Sequence, residues 1–228
     1  MTSKPTFRVR RVVAAAASLA SFVLSAPAHA ETGAGSALKN TAIAGSVATW
    51  AYALFKGAPV GSCLVDGAKG SGSDWGFRLQ GGKDSELKYG MIAAERRDCH
   101  LTDALGFSLD VAPVVGVSAW EADSDSLYAR HAWDVAYVPM MHWRTPVAGG
   151  ANNFDVEFGI GPDYLSKSSI GDRIKSTNFQ FSDHFGLGFG SANGSWRVGF
   201  EFRHLSNLSI KTPNTAVDFK GISFSYRP

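Results

Sequence analysis

The segments Ser195–Asn207 (SWRVGFEFRHLSN) and Val217–Tyr226 (VDFKGISFSY) decide the fold of this chain. Alternate side chains of a β-strand point to opposite faces. One face of the first segment is apolar and consists of Trp196, Val198, Phe200, Phe202, His204 and Ser206. The opposite face is mostly charged and consists of Arg197, Gly199, Glu201, Arg203 and Leu205. A histidine and a serine therefore end an otherwise apolar row.

The same alternation recurs upstream, in segments separated by glycine-rich and polar breaks. Eight such segments are predicted as strands, near 74–81, 87–97, 104–120, 126–143, 154–167, 177–190, 195–207 and 216–227. Their apolar rows are bulky and aromatic, whereas the opposite rows combine glycine with charged residues. Ion pairs and small residues fit the narrow interior of a small barrel, and aromatic rows suit acyl chains. The pattern favours an all-β, eight-stranded antiparallel transmembrane β-barrel over a soluble, lipocalin-like barrel with its apolar rows inside.

The first 30 residues have the pattern of a secretory signal peptide. A basic start is followed by the apolar run VVAAAASLASFVL and by Ala28-His29-Ala30, a small-x-small cleavage pattern. We therefore expect three parts: a signal peptide at 1–30, an N-terminal periplasmic extension at 31–73 and an outer-membrane barrel at 74–228. The signal peptide holds four of the 22 Lys and Arg residues and no acid, which leaves the remainder at −2. That charge gives no indication of nucleic-acid binding.

The extension contains one helical pattern and the first of two cysteines. Ile43, Val47, Trp50 and Leu54 recur at helical spacing, which predicts a short helix from about Ala37 to Phe55, lying on the periplasmic side of the barrel. Cys63 precedes the first strand, and we expect Cys99 in the turn after the second. Both would face an oxidising compartment and could form a disulfide.

Three residues near the last hairpin suggest nucleophilic catalysis. His204 and Ser206 are two residues apart on one face, about 6.8 Å along the strand. A loop centred on Lys211 would place Asp218 opposite His204, so that the acid orients the imidazole and the imidazole activates the hydroxyl. Polar groups on a lipid-facing row are costly, although the cost falls near the membrane interface, so a non-catalytic interfacial role stays open.

These residues resemble those of the lipid A 3-O-deacylase family of the PagL type. The resemblance rests on His204-Leu205-Ser206-Asn207, on Lys211-x-Pro213-Asn214, on an acid twelve residues after the serine, and on the upstream motif FQFSDHFGLG that starts at Phe179. It implies an outer-membrane serine esterase that removes an ester-linked 3-hydroxyacyl chain from lipid A in the outer leaflet. Ser206 would be the nucleophile, His204 the base and Asp218 the acid, with Asn207 and Asn214 supporting the oxyanion. The family usually has glutamate at the position of Asp218.

Two other functional classes remain open at this stage. A non-catalytic small barrel could serve adhesion or envelope integrity, and an acyltransferase or phospholipase could act on other membrane lipids. We expect no metal or cofactor, since no two histidines have metal-ligand spacing with a suitable partner. A homodimer and the role of Asp183, which either approaches His204 or lies at a bulge, are left open. The predicted interior ion-pair network comprises Arg130, Asp134, Asp155, Glu157, Arg197, Glu201 and Arg203.

Overall fold

The structure is a computed structural model that describes residues 34–66, 74–123, 126–147 and 149–228. It has two helices in this part of the chain, α1 (Ala34–Phe55) and α2 (Val60–Val65). The strands are β1 (Trp75–Lys83), β2 (Leu87–Arg96), β3 (Cys99–Ala104), β4 (Phe107–Ala122), β5 (His131–Pro146), β6 (Asn152–Leu165), β7 (Ser169–Ile170), β8 (Arg173–Ile174), β9 (Phe179–Ser191), β10 (Trp196–Ser206) and β11 (Val217–Tyr226). The predicted signal peptide and most of the linker after α2 lie outside the described residues.

Eight of the strands close into an antiparallel barrel, as the alternation predicts. Its order is β1, β2, β4, β5, β6, β9, β10 and β11, and β11 pairs with β1 to complete the circle. The short β7 and β8 form a separate hairpin in the loop between β6 and β9. We call the end with the turn at 84–86 and the loops at 166–178 and 207–216 the upper rim. The lower end carries the first residue of β1 and the last of β11.

The barrel is apolar outside, and its interior combines buried ion pairs with a buried apolar cluster that includes Trp120 and Phe219. Outward side chains such as Leu79, Val198 and Phe224 are exposed on the wall. Buried inside, Arg78 contacts Glu157 at 2.6 Å and Glu201 at 2.7 Å. A wall of this kind is stable only against lipid, so the alternation is that of a membrane barrel.

Glycine on the inward rows makes room for these charged side chains. A Cβ atom on Gly186 would lie 2.5 Å from a Glu157 carboxylate oxygen, and one on Gly188 equally close to the Arg197 guanidinium. Arg197 itself contacts Asp155 at 3.1 Å. The predicted interior network is therefore present, but Arg130 is not part of it. Arg130 is exposed and precedes the first residue of β5.

The prediction that Cys99 lies in a turn is wrong. The chain continues from β2 into β3, which pairs with the first part of β4, so Cys99 lies in a strand. The turn comes later, at Leu105 and Gly106, which both have positive φ, of 51° and 82°. Positive φ at both central residues is the geometry of a tight hairpin turn. A search of the sequence for polar turn residues misses this turn because Leu105 is apolar. The predicted disulfide does form, between Cys63 of α2 and Cys99.

Helix α1 is found where the periodicity predicts a helix, but its position is different. It packs on β6, β9 and β10 rather than beneath the barrel. Thr49 of α1 accepts a hydrogen bond from the outward-facing Trp143 indole at 3.0 Å. A Cβ atom on Gly45 would collide with the Phe158 ring, so the helix touches the wall directly. The helix face toward the barrel is made of small residues, namely Ala42, Ser46, Thr49 and Ala53. Small residues let a helix approach another element closely.

No helix among the described residues is both long and apolar enough to cross a membrane.

The disulfide is expected to hold the extension rather than the barrel. It closes a loop of 36 residues, and a cross-link of that span stabilises by about 4 kcal/mol in the chain-entropy model. The double change Cys63→Ser/Cys99→Ser should therefore expose residues 56–66 to protease while the barrel stays intact. Limited proteolysis of the oxidised and reduced protein, followed by mass spectrometry, measures this. Equal cleavage rates in both states would contradict an anchoring role.

Candidate active site

The register of the last hairpin brings His204 and Asp218 together. They are directly opposite each other in the β10–β11 pair, as a loop centred on Lys211 predicts. His204 Nδ1 and Asp218 Oδ1 are 2.5 Å apart, a charge-assisted contact that fixes the imidazole orientation and leaves Nε2 for a second partner. The structure therefore brings together the acid and the histidine of the predicted triad.

Ser206 lies two residues further along β10, on the same outward face as His204. Its Oγ accepts a hydrogen bond from the Leu208 backbone N–H at 3.4 Å. Among the described residues, no hydrogen bond joins Ser206 to His204. Contacts of this kind are often long without substrate and shorten in the complex, so the spacing suits a nucleophile and its base.

Asp183 is the second acid beside His204. It lies directly opposite His204 in the β9–β10 pair, without a bulge, which decides between the two alternatives left open by the sequence. It is fully buried, and neither carboxylate oxygen has a hydrogen-bond partner in the described part of the chain. His204 thus lies between two acids. It contacts Asp218 and makes no hydrogen bond to Asp183.

Helix α1 closes one side of this site. It packs on β9 and β10, and the outward side chains around the site, Asp183, Phe202, His204 and Ser206, are buried, with His204 only 3% and Ser206 6% exposed. On the other side, neither helix of the described residues packs extensively on β11 or β1, and Ile222 is 71% exposed. A substrate that stays in the membrane can therefore approach from the β11 side.

The loop 207–216 is held by hydrogen bonds from its own asparagines and from the neighbouring loop. Asn207 donates its backbone N–H to Asn214 Oδ1 at 3.2 Å, and its side-chain amide to Ser176 Oγ at 3.1 Å and to the Lys211 carbonyl at 2.8 Å. Asn207 therefore braces the loop. The Asn214 side-chain amide N–H group makes no hydrogen bond within the described residues and remains a candidate oxyanion donor.

Sequence reasoning missed Lys175, which braces the same loop from below. Its ammonium group is buried and donates to the carbonyls of Leu205 and Thr215, each at 3.0 Å. Burial lowers the pKa of Lys175 to about 7, against the opposing effect of Asp163 and Asp218. The segment 166–178 has no strand or helix periodicity, so no sequence signal places it against the loop 207–216.

One group of histidine, aspartate and glutamate side chains in the barrel interior has the spacing of metal ligands. His142, Asp155 and Glu157 offer donor atoms within 4.8 Å of one another. The same carboxylates contact Arg144 at 3.2 Å and Arg197 at 3.1 to 3.2 Å. These guanidinium groups already compensate the negative charge, so the arrangement is that of a structural ion network.

Comparison with known proteins agrees with the fold. The family model described as lipid A 3-O-deacylase (PagL) matches residues 88–227. The chain belongs to this family. The match includes most of β2 and the β10–β11 hairpin with both asparagines, whereas α1, α2 and β1 lie outside it.

Two relatives put the match in quantitative terms. Lipid A deacylase PagL of Bordetella bronchiseptica is 37% identical over 119 residues, which cover 52% of this chain and 63% of that protein. The crystal structure of the outer membrane enzyme PagL has a TM-score of 0.57 at 19% identity and covers 68% of this chain and 99% of that chain. This chain is accordingly an outer-membrane β-barrel of the PagL family.

Proposed function

We propose that this protein is a lipid A 3-O-deacylase that hydrolyses the ester of a 3-hydroxyacyl chain. The proposal rests above all on the short His204–Asp218 contact beside Ser206, on a wall that faces lipid. Membership of the PagL family supports it. The upper rim would lie in the outer leaflet, so the substrate would reach Ser206 by lateral diffusion.

The chemistry follows from the placement of these groups. Ser206 Oγ attacks the ester carbonyl carbon and passes its proton to His204 Nε2, while Asp218 stabilises the imidazolium. The bond between the acyl carbonyl carbon and the sugar oxygen breaks, and the sugar oxygen takes the proton from His204. Water then attacks the acyl-enzyme and gives a proton to His204. The hydroxy fatty acid leaves, and the serine regains its proton.

Two donors are candidates for binding the oxyanion of the tetrahedral intermediate. The Leu208 backbone N–H is already near Ser206 Oγ, and the Asn214 side-chain amide is not engaged by another described residue. Asn207 would act indirectly, by holding the loop that carries both donors. Removing one oxyanion donor typically costs about 10²- to 10³-fold in rate.

Expression in a host that lacks such an enzyme tests the function. Mass spectrometry of its lipid A should show loss of one 3-hydroxyacyl unit, and the same host expressing Ser206→Ala should show none. Unchanged lipid A in a host with folded wild-type barrel would favour a non-catalytic barrel. A gain in mass, or cleavage of glycerophospholipids alone, would replace hydrolysis of lipid A by transfer or by phospholipase activity.

A further inference from the structure

Three exposed lysines form a continuous row on the open side of the candidate active site. Lys220 of β11 is directly opposite Lys83 of β1, and Lys83 is directly opposite Lys88 of β2. All three occupy outward positions and are exposed. The row begins beside Phe202, one residue pair below His204, and ends next to the turn at 84–86 on the upper rim. We call these residues the lysine row.

The charge of the lysine row is largely uncompensated. Lys88 contacts Glu121 at 3.2 Å, with both side chains in solvent, and such exposed pairs are weak. Among the described residues, Lys83 and Lys220 have no carboxylate partner. The neighbouring acids Asp84 and Glu86 each contact Arg173 at 3.0 Å instead. Like charges directly opposite each other destabilise a sheet, and a bound anion would relieve this repulsion.

A gap in the outer wall lies directly below the lysine row. The next outward positions on β1 and β2 are Gly81 and Gly90, which are also opposite each other. A Cβ atom on Gly90 would meet nothing within 4 Å, so the space above it is open. One step further down, the wall is apolar again at Leu79 and Ile92. From the rim downwards, the outer wall thus presents first the lysine row, then Gly81 and Gly90, which we call the glycine floor, and then apolar side chains.

This order matches the build of a phosphorylated glycolipid, with phosphate at the rim, sugar below it and acyl chains deepest. We propose that the lysine row and the glycine floor bind the phosphorylated sugar head group of the lipid substrate and thereby select which ester reaches Ser206. The proposal rests on the proposed function. Because α1 packs on β9 and β10, the described residues leave the β11 side of His204 open to the head group.

Kinetics with matched substrates test the subsite. The double variant Lys83→Gln/Lys220→Gln should raise KM for bisphosphorylated lipid A by about 10- to 30-fold, since each lysine near a membrane surface contributes about 1 kcal/mol toward anionic lipid. It should also lose the preference of the wild type for phosphorylated over dephosphorylated lipid A. Lys83→Arg/Lys220→Arg should restore that preference, and Gly90→Val should weaken it by filling the floor. The exposed Lys167, in the loop before β7, provides the control Lys167→Gln.

Binding to the inactive Ser206→Ala protein separates this proposal from the proposed function. Bisphosphorylated lipid A should bind more tightly than its dephosphorylated form, and the double glutamine change should remove the difference. An unchanged preference in the double variant would overturn the subsite even if wild-type protein deacylates lipid A. The subsite would also be overturned if the double glutamine change weakened binding to phosphatidylglycerol vesicles as much as binding to lipid A. The same holds if inorganic phosphate competed as well as bisphosphorylated lipid A, because the row would then contact any phosphate. If wild-type protein hydrolyses no lipid A, the function fails, and the binding comparison still decides the subsite.

Discussion

Replacement of Ser206 by alanine is expected to lower the deacylation rate by about 10⁴- to 10⁶-fold, as loss of a serine nucleophile does elsewhere. His204→Asn should have an effect of the same order, because serine and histidine act as one unit. Neither change should unfold the barrel, since both side chains point away from the interior ion network. The measurement is release of hydroxy fatty acid from lipid A by purified protein.

The control for this prediction is Ser209→Ala. Ser209 lies in the same loop, is exposed and points to no described partner. It should retain wild-type activity, and the shift in electrophoretic mobility on heating should report a folded barrel for every variant. Wild-type activity in folded Ser206→Ala would show that the nucleophile assignment is wrong.

Removal of the Asp218 carboxylate should have the second-largest effect. Asp218→Asn is expected to lower the rate by about 10²- to 10⁴-fold, because an amide no longer favours the tautomer with the proton on Nδ1. Asp218→Glu should retain activity, since the carboxylate is kept and the family resemblance places a glutamate here. Steady-state rates at saturating substrate measure both changes.

Asp183 provides the matched comparison for this acid. It flanks His204 from the opposite strand but makes no hydrogen bond to it. Asp183→Asn should therefore cost far less than Asp218→Asn. The reverse order of effects would transfer the orienting role from Asp218 to Asp183.

The sequence was sufficient to predict the barrel and the pairing of His204 with Asp218, because both depend on local rules. Period-two alternation identifies strands wherever one face meets lipid. The hairpin pairs residues symmetrically about its loop, so Lys211 alone places Asp218 opposite His204. The same reasoning failed between β2 and β4, where an apolar Leu105 adopts a turn conformation that glycine or asparagine normally signals.

The position of α1 could not be predicted because the helix has no pronounced polar face. Its spacing of Ile43, Val47 and Trp50 indicated a buried side, yet these side chains are only half-buried and the small residues face the barrel. The contact depends on the close fit of Gly45 to Phe158, a match of shapes between elements far apart in sequence. Lys175 was equally invisible, because its partners are backbone carbonyls of the distant catalytic hairpin.

The charged interior has a consequence for the cell that carries this protein. Arg203, like Arg78, is completely enclosed, and it joins Asp134 to Asp163 across the barrel at 3.0 and 2.6 Å. A continuous file of water cannot thread such a cross-linked interior without breaking buried ion pairs, which is strongly unfavourable. Each copy therefore adds a lipid-facing surface to the membrane without adding a hydrophilic leak. For the proposed deacylase, the amount of protein can rise while the barrier to small solutes and toxic compounds is preserved.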